Sequence, residues 1–187
     1  MEVRKKAEME KTSGPANKIA RRTIAIVAST VFLVLVWQGW LFYSLSASKV
    51  FRRNYIEYTP GNLNDNSNVS SAVEEAYMAR DYKKVIELVG SSRGIKENFI
   101  AAHAQLALNN PSGAITGFKK VIDLGYVAGR SVYKDAAEYN LVLSYIRNRD
   151  YDLALELMNR LKGNPHHFYH DKMTGKLFRQ VKMLKWR

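Results

Sequence analysis

The sequence contains no cysteine. That absence removes disulfides, thiolate zinc sites and cysteine nucleophiles together, so any folded part is held by its core alone, a condition common in the bacterial periplasm. The phosphate-cradling patterns GxxxxGK[ST] and GxGxxG are missing. Adjacent acids such as Glu74 and Glu75 point about 100° apart on a helix and do not converge on one substrate. With no triad, metal cage or cofactor loop to assemble, the chain is expected not to be an enzyme, to use no cofactor and to have no small-molecule substrate.

Acidic residues are also scarce, 17 against 29 lysines and arginines, for a net charge of +12. Residues before Thr23 contribute +4 and those after Leu45 contribute +8, of which residues 163–187 supply +5. Because an uncharged run splits the basic residues and no recognised DNA- or RNA-binding motif accompanies them, nucleic acid is not an expected partner.

Charge is missing altogether from Thr23 to Leu45, TIAIVASTVFLVLVWQGWLFYSL. As a helix this run is about 34 Å long, enough to cross a hydrocarbon core of ~30 Å with some tilt. Trp37, Trp40 and Tyr43 gather at one end and Arg21 and Arg22 stand at the other, placing interfacial side chains at both headgroup levels. The small residues of Ser44–Ser48 offer a cleavage site to a signal peptidase, but the apolar run exceeds the ~7 to 15 residues usual for a signal peptide, so a retained anchor is expected. Seven basic residues and three acids precede the run, whereas the segment 46–65 after it holds only Lys49, Arg52 and Arg53 as cations. The positive-inside rule then keeps residues 1–22 in the cytoplasm as a basic tail and sends the remainder across, to the periplasm of a bacterial inner membrane.

Residues 46–68 include Thr59-Pro60-Gly61 and a run rich in asparagine, which is turn and linker chemistry. A stalk is expected there. From Val69 the apolar residues adopt helical spacing, with no strand-like alternation. Val73, Ala76 and Tyr77 make one short stripe, and after Arg80-Asp81, Val85, Ile86, Leu88 and Val89 make the next. The helical hairpin so formed returns twice, around Asn109-Asn110-Pro111 and around Arg149-Asp150-Tyr151. Val85, Ala114 and Ala154 align as equivalent positions of the three units. Their mean interval is close to the period of roughly 34 residues that marks solenoids built from helix hairpins. The twin Arg-Asp-Tyr sequences, at 80–82 and 149–151, fall where one helix of a hairpin ends and the next begins, with the Asp able to cap and the Tyr able to wedge between helices.

The third unit, AAEYNLVLSYIRNRDYDLALELMNRL, resembles a tetratricopeptide repeat, with Tyr145 at that family's helix-A tyrosine, Tyr151 at the turn and Ala154 at the small helix-B position. Glu138 stands where a tryptophan is usual and Val142 where a small residue is usual. In the more degenerate units Val85 replaces the helix-B alanine and Pro111 the turn tyrosine. The resemblance covers residues 69–165 and implies an all-α solenoid of about three hairpins, a scaffold or adaptor in a small single-pass membrane-anchored bacterial protein. In such repeats the first helix of each pair lines a concave groove, which maps here to Tyr77, Phe99, His103, Tyr139, Leu143 and Arg147 as partner-groove candidates for a protein or peptide. A transmembrane signalling regulator, with the cytoplasmic tail contacting a transcription or signalling factor, is the alternative.

After Asn164-Pro165, residues 166–187 read as a basic capping helix beginning near Phe168 or Asp171, apolar at Met173, Leu177, Val181 and Leu184. Its cations could also meet anionic lipid or an acidic partner. His166, His167 and His170 read as a solvated connector, with no metal expected: there is no HExxH pattern and only Asp171 is an adjacent carboxylate.

Overall fold

Pro15 opens the first helix, α1 (Pro15–Ser44), at the position where its missing N–H leaves nothing unpaired. The computed structural model describes residues 15–59, 71–90, 94–128 and 131–187. Among them the secondary structure is helical without a strand. Helix α1 starts ahead of Thr23, so the end of the expected tail is helical, while residues 1–14 lie outside the described residues. The stretch Arg22–Trp40 is long and apolar enough to span a membrane, with mean hydropathy 1.8 and none of it buried. Its hydroxyls turn back onto the helix, Ser29 Oγ donating to the Ala25 carbonyl at 2.8 Å and Thr30 Oγ1 to that of Ile26 at 3.0 Å, which suits a helix with no water around it. Arg22, Trp37, Trp40 and Tyr43 are exposed, the two indoles 5.9 Å apart; the side chain of Arg21 lies outside the described residues.

The chain divides at Ser44/Leu45 into two units. In the second, Ala47–Asn54 is a helix, α2, capped by Ser46, whose hydroxyl accepts from the Lys49 amide. It buries Val50 and Phe51, and Tyr58 just beyond it is buried as well. The expected stalk over 46–68 is therefore corrected: residues 47–58 belong to the folded unit, and 60–70 lie outside the described residues.

Three helix pairs follow, α3 (Ser71–Met78) with α4 (Tyr82–Val89), α5 (Ile95–Ala107) with α6 (Pro111–Ala128), and α7 (Ser131–Asn148) with α8 (Tyr151–Gly163). Each helix packs on the next, α3 and α7 also touch α5, and α2 lies on α7. The turns inside the pairs share one geometry. Arg80, Asn109 and Arg149 are left-handed, at φ 60°, 59° and 71°, and the amide after each closes a long bond to the preceding helix, Asp81 to Ala76, Asn110 to Gln105 and Asp150 to Tyr145, all at 2.9 Å. These are Schellman closures without glycine. Asp81 caps α4 through the Lys84 amide and Asn110 caps α6 through that of Gly113, but Asp150 makes no such cap and instead accepts from the Asn148 side chain. The Tyr82 ring meets that of Tyr77 edge-on at 5.5 Å.

Val85, Ala114 and Ala154 each have 0% exposure. They sit where the second helix of a pair presses on the first. In the middle pair Gly117 tightens the contact further, since a Cβ there would lie 2.8 Å from that of Ala102. Helix α6 runs past Gly125 to Ala128. At the far end a 3-10 turn (His170–Lys172) precedes helix α9 (Gly175–Lys185), which starts later than expected because Thr174 caps it through the Leu177 amide. Leu177, Val181 and Leu184 bury its apolar face, and α9 packs on α8 and α2.

Candidate functional site: a groove and the segment that fills it

Tyr139, Leu143 and Arg147 recur every four residues on α7 and so share one face. Phe99 and His103 do the same on α5, and Tyr77 is on α3. All six groove candidates belong to the first helices of their pairs. Their surface is occupied by the chain itself. Phe51 lies under the Arg147 guanidinium at 4.4 Å. Tyr58 packs edge-on against Tyr77 at 5.6 Å and Phe99 at 5.9 Å, while its hydroxyl donates to Glu74 Oε1 at 3.1 Å. Lys96 reaches the same oxygen at 3.0 Å. Tyr139 donates its hydroxyl to the Asn54 carbonyl at 2.5 Å and stacks on Tyr169. The five candidates other than Arg147 are buried, and residues 47–58 pack against Tyr77, Phe99, His103 and Tyr139 among them.

His103 is 1% exposed, with Nδ1 2.8 Å from the Tyr55 hydroxyl and, among the described residues, no hydrogen-bond partner for Nε2. Burial pushes its pKa down to about 3, so the imidazole is neutral. Burial likewise raises the Tyr55, Tyr58 and Tyr77 phenols, Tyr58 with a further push from Glu74, and takes Tyr139 up to about 12. The Arg147 pKa is lowered by burial. Its two nitrogens still find acceptors, the Leu106 carbonyl at 3.0 Å and Asn109 Oδ1 at 2.8 Å, so one guanidinium covers Phe51 and braces the α5–α6 turn.

A second polar cluster escaped sequence reasoning. His167, expected in a solvated connector, is buried, with Nε2 3.2 Å from Glu138 and 3.7 Å from Asp135 on α7. His166 is exposed, and His170 lies 3.0 Å from Asp171. The ligand atoms of Asp135, Glu138 and His167 fall within 4.8 Å of one another, a spacing that could hold a metal ion. Their hydrogen bonds point elsewhere. The Tyr169 amide donates to His167 Nδ1 at 3.1 Å, so the neutral ring carries its proton on Nε2, where a metal would have to bind. Asp135 accepts from the Phe168 amide at 2.9 Å and Glu138 faces Arg160 at 3.4 Å. The cluster fastens the connector to α7, with Glu138 at its centre.

An open groove remains. Leu141 and Tyr145 lie about 200° around α7 from the filled face. With Ile122 of α6 and Leu153 and Leu157 of α8 they floor a depression of about 290 Å³. Lys119, Asp123, Glu156 and Arg160 rim it.

No family model, curated protein or solved structure matches this chain.

Proposed function

We propose that the chain is a single-pass membrane-anchored scaffold whose helix pairs form a tetratricopeptide-like solenoid and bind a protein or peptide partner. In this reading the basic tail is cytoplasmic, the anchor lies in a bacterial inner membrane and the partner is met in the periplasm. Three features favour the repeat reading. Each pair turns on a left-handed residue, Arg80, Asn109 or Arg149; the buried contacts Val85, Ala114 and Ala154 follow those residues at one constant interval; and successive pairs touch.

The observation that carries the binding reading is the groove between α6 and α8, with its apolar floor and mixed-charge rim. Leu153 is 46% exposed there, an anchor for a helix or extended segment bearing its own alternating charges. The concave face is already occupied by residues 47–58, so a partner using it would have to displace them.

The test is a photocrosslinking amino acid placed singly in the full chain in native membranes, at Leu153, at Ile122 and at Tyr58. The proposal expects a shared protein adduct from the first two positions, lost from Ile122 when Leu153→Asp is added. Adducts from Tyr58 alone would move the site to the concave face, and adducts only to lipid would refute the scaffold reading. Since the natural chain has no cysteine, Asn164→Cys and Ala16→Cys report topology: an impermeant maleimide should label the first and spare the second in spheroplasts.

A further inference from the structure

Arg187 Nη1 donates to the Leu45 carbonyl at 2.6 Å. Leu45 follows Ser44, the last residue of the apolar helix, by one peptide bond, so the end of α9 lies within a few ångströms of the point where the chain leaves that helix. What gathers there is mostly positive. Residues 45–54 carry Lys49, Arg52 and Arg53, all exposed, and residues 175–187 carry five more cations, with no acid in either stretch. Helices α2 and α9 pack on each other, joining the two sets. Asp152 of α8 accepts from Lys185 and offsets one charge; the first acid after Leu45 is Glu57. Trp186, between Lys185 and Arg187 in the chain, is 85% exposed.

We propose that this surface, formed by Lys49, Arg52 and Arg53 of α2 with Lys182, Trp186 and Arg187 at the end of α9, rests on an anionic lipid headgroup layer. The inference depends on α1 being a membrane anchor. Granting that, distance selects lipid over an acidic protein. At 1.5 Å per residue Arg52 and Arg53 lie roughly 10 Å from Leu45, comparable with the headgroup layer and with the screening length of physiological salt. An indole exposed beside the exit point has the amphipathic shape that interfacial positions favour. A soluble acidic partner would explain the cations but not their placement at Leu45. Docked this way, the folded unit has its base fixed against the bilayer surface.

Trp37→Phe and Trp40→Phe leave Trp186 as the sole tryptophan of the three. The full chain carrying both is reconstituted into phosphatidylcholine vesicles and into vesicles with roughly a third phosphatidylglycerol, each with and without bromines placed high on the acyl chain. The expected result is a blue-shifted Trp186 emission quenched by bromine in the anionic vesicles, weak quenching in the zwitterionic ones, and reversal by 1 M salt, which shortens the screening length to ~3 Å. Reversing Arg52, Arg53 and Lys182 to Glu should remove the anionic dependence, at roughly fivefold in the contact equilibrium per lost cation, with unchanged circular dichroism and flotation. If the chain floats with anionic vesicles while Trp186 emits as in water and ignores bromine, the lipid proposal is overturned and the surface belongs to an acidic protein. If the chain does not float at all, the anchor reading fails and takes this inference with it.

Discussion

Acidification acts on His103. The unfolded chain protonates this ring near pH 6.5, whereas burial holds the folded ring neutral down to about pH 3. Below pH 6.5 the unfolded state binds one proton more than the folded state, so stability is complete above that value and declines as pH falls, levelling off near the folded pKa. The slope is about 1.4 kcal/mol per pH unit. Between pH 7.5 and pH 5 the loss from this one ring is about 2 kcal/mol, and for a unit of this size that lowers Tm by roughly 6 °C. The assay is thermal unfolding of the full chain in detergent at half-unit steps from pH 8 to pH 4.5, comparing the natural sequence with His103→Asn. Asparagine keeps a polar atom near Nδ1 for the Tyr55 hydroxyl but has nothing to titrate. The variant starts from a lower Tm because it leaves a void beside Phe99 and Phe118, whose rings lie 4.6 and 5.3 Å from that of His103. Its decline with acid should nonetheless be shallower by about 2 kcal/mol over the same interval. Equal slopes for the two proteins, or an NMR titration of His103 near pH 6.5, would refute the reasoning, because either requires water or a counter-charge beside the ring. His166, His167 and His170 are common to both proteins and cancel in the comparison.

Other substitutions test separate contacts. Gly117→Ala forces a methyl to 2.8 Å from Ala102 Cβ and should cost about 1 to 3 kcal/mol, read as a lower urea midpoint at unchanged m-value. Arg149→Gly relieves a left-handed residue at φ 71° and should raise stability by roughly 0.5 to 1 kcal/mol, while Arg149→Val should lower it; a loss with glycine would show that the arginine side chain matters more than its backbone. Tyr139→Phe deletes the bond to the Asn54 carbonyl and should cost about 1 to 2 kcal/mol, with faster amide exchange across α2 but not α4 as the local readout.

The paired helices were legible because their information is local. Arg80-Asp81 and Arg149-Asp150 mark turns whose amides close onto the helix just before them, and Val85 and Ala154 keep the spacing of a buried stripe. The middle turn, Asn109-Asn110-Pro111, adopts the same geometry with different residues, because asparagine tolerates the left-handed region that the closure needs. Helix α2 was not legible for the opposite reason. So short a helix is not stable alone, and what stabilises Ala47–Asn54 arrives from far along the chain: Arg147 over Phe51, Tyr139 on Asn54, His103 on Tyr55. The spacing of Val50, Phe51, Tyr55 and Tyr58 was the available signal, masked by the linker composition that follows it. The six candidate residues do lie on the first helices of their pairs, but the segment 47–58 that packs on them was missed. His167 was misread likewise, since its carboxylates, Asp135 and Glu138, stand far upstream on α7.

The filled groove also fixes an order of events during biosynthesis. Residues 47–58 leave the ribosome first, yet Tyr55 needs His103, 48 residues later, and Asn54 needs Tyr139, 85 residues later. The leading segment must therefore wait while its receptor is made behind it. Closing loops of that length is slow compared with forming a helix pair, so the seam between residues 47–58 and the helices is the last part to set. Until α7 has emerged, Phe51 is a sticky side chain without its Arg147 cover, and a chaperone that recognises aromatic residues beside arginines would find it there.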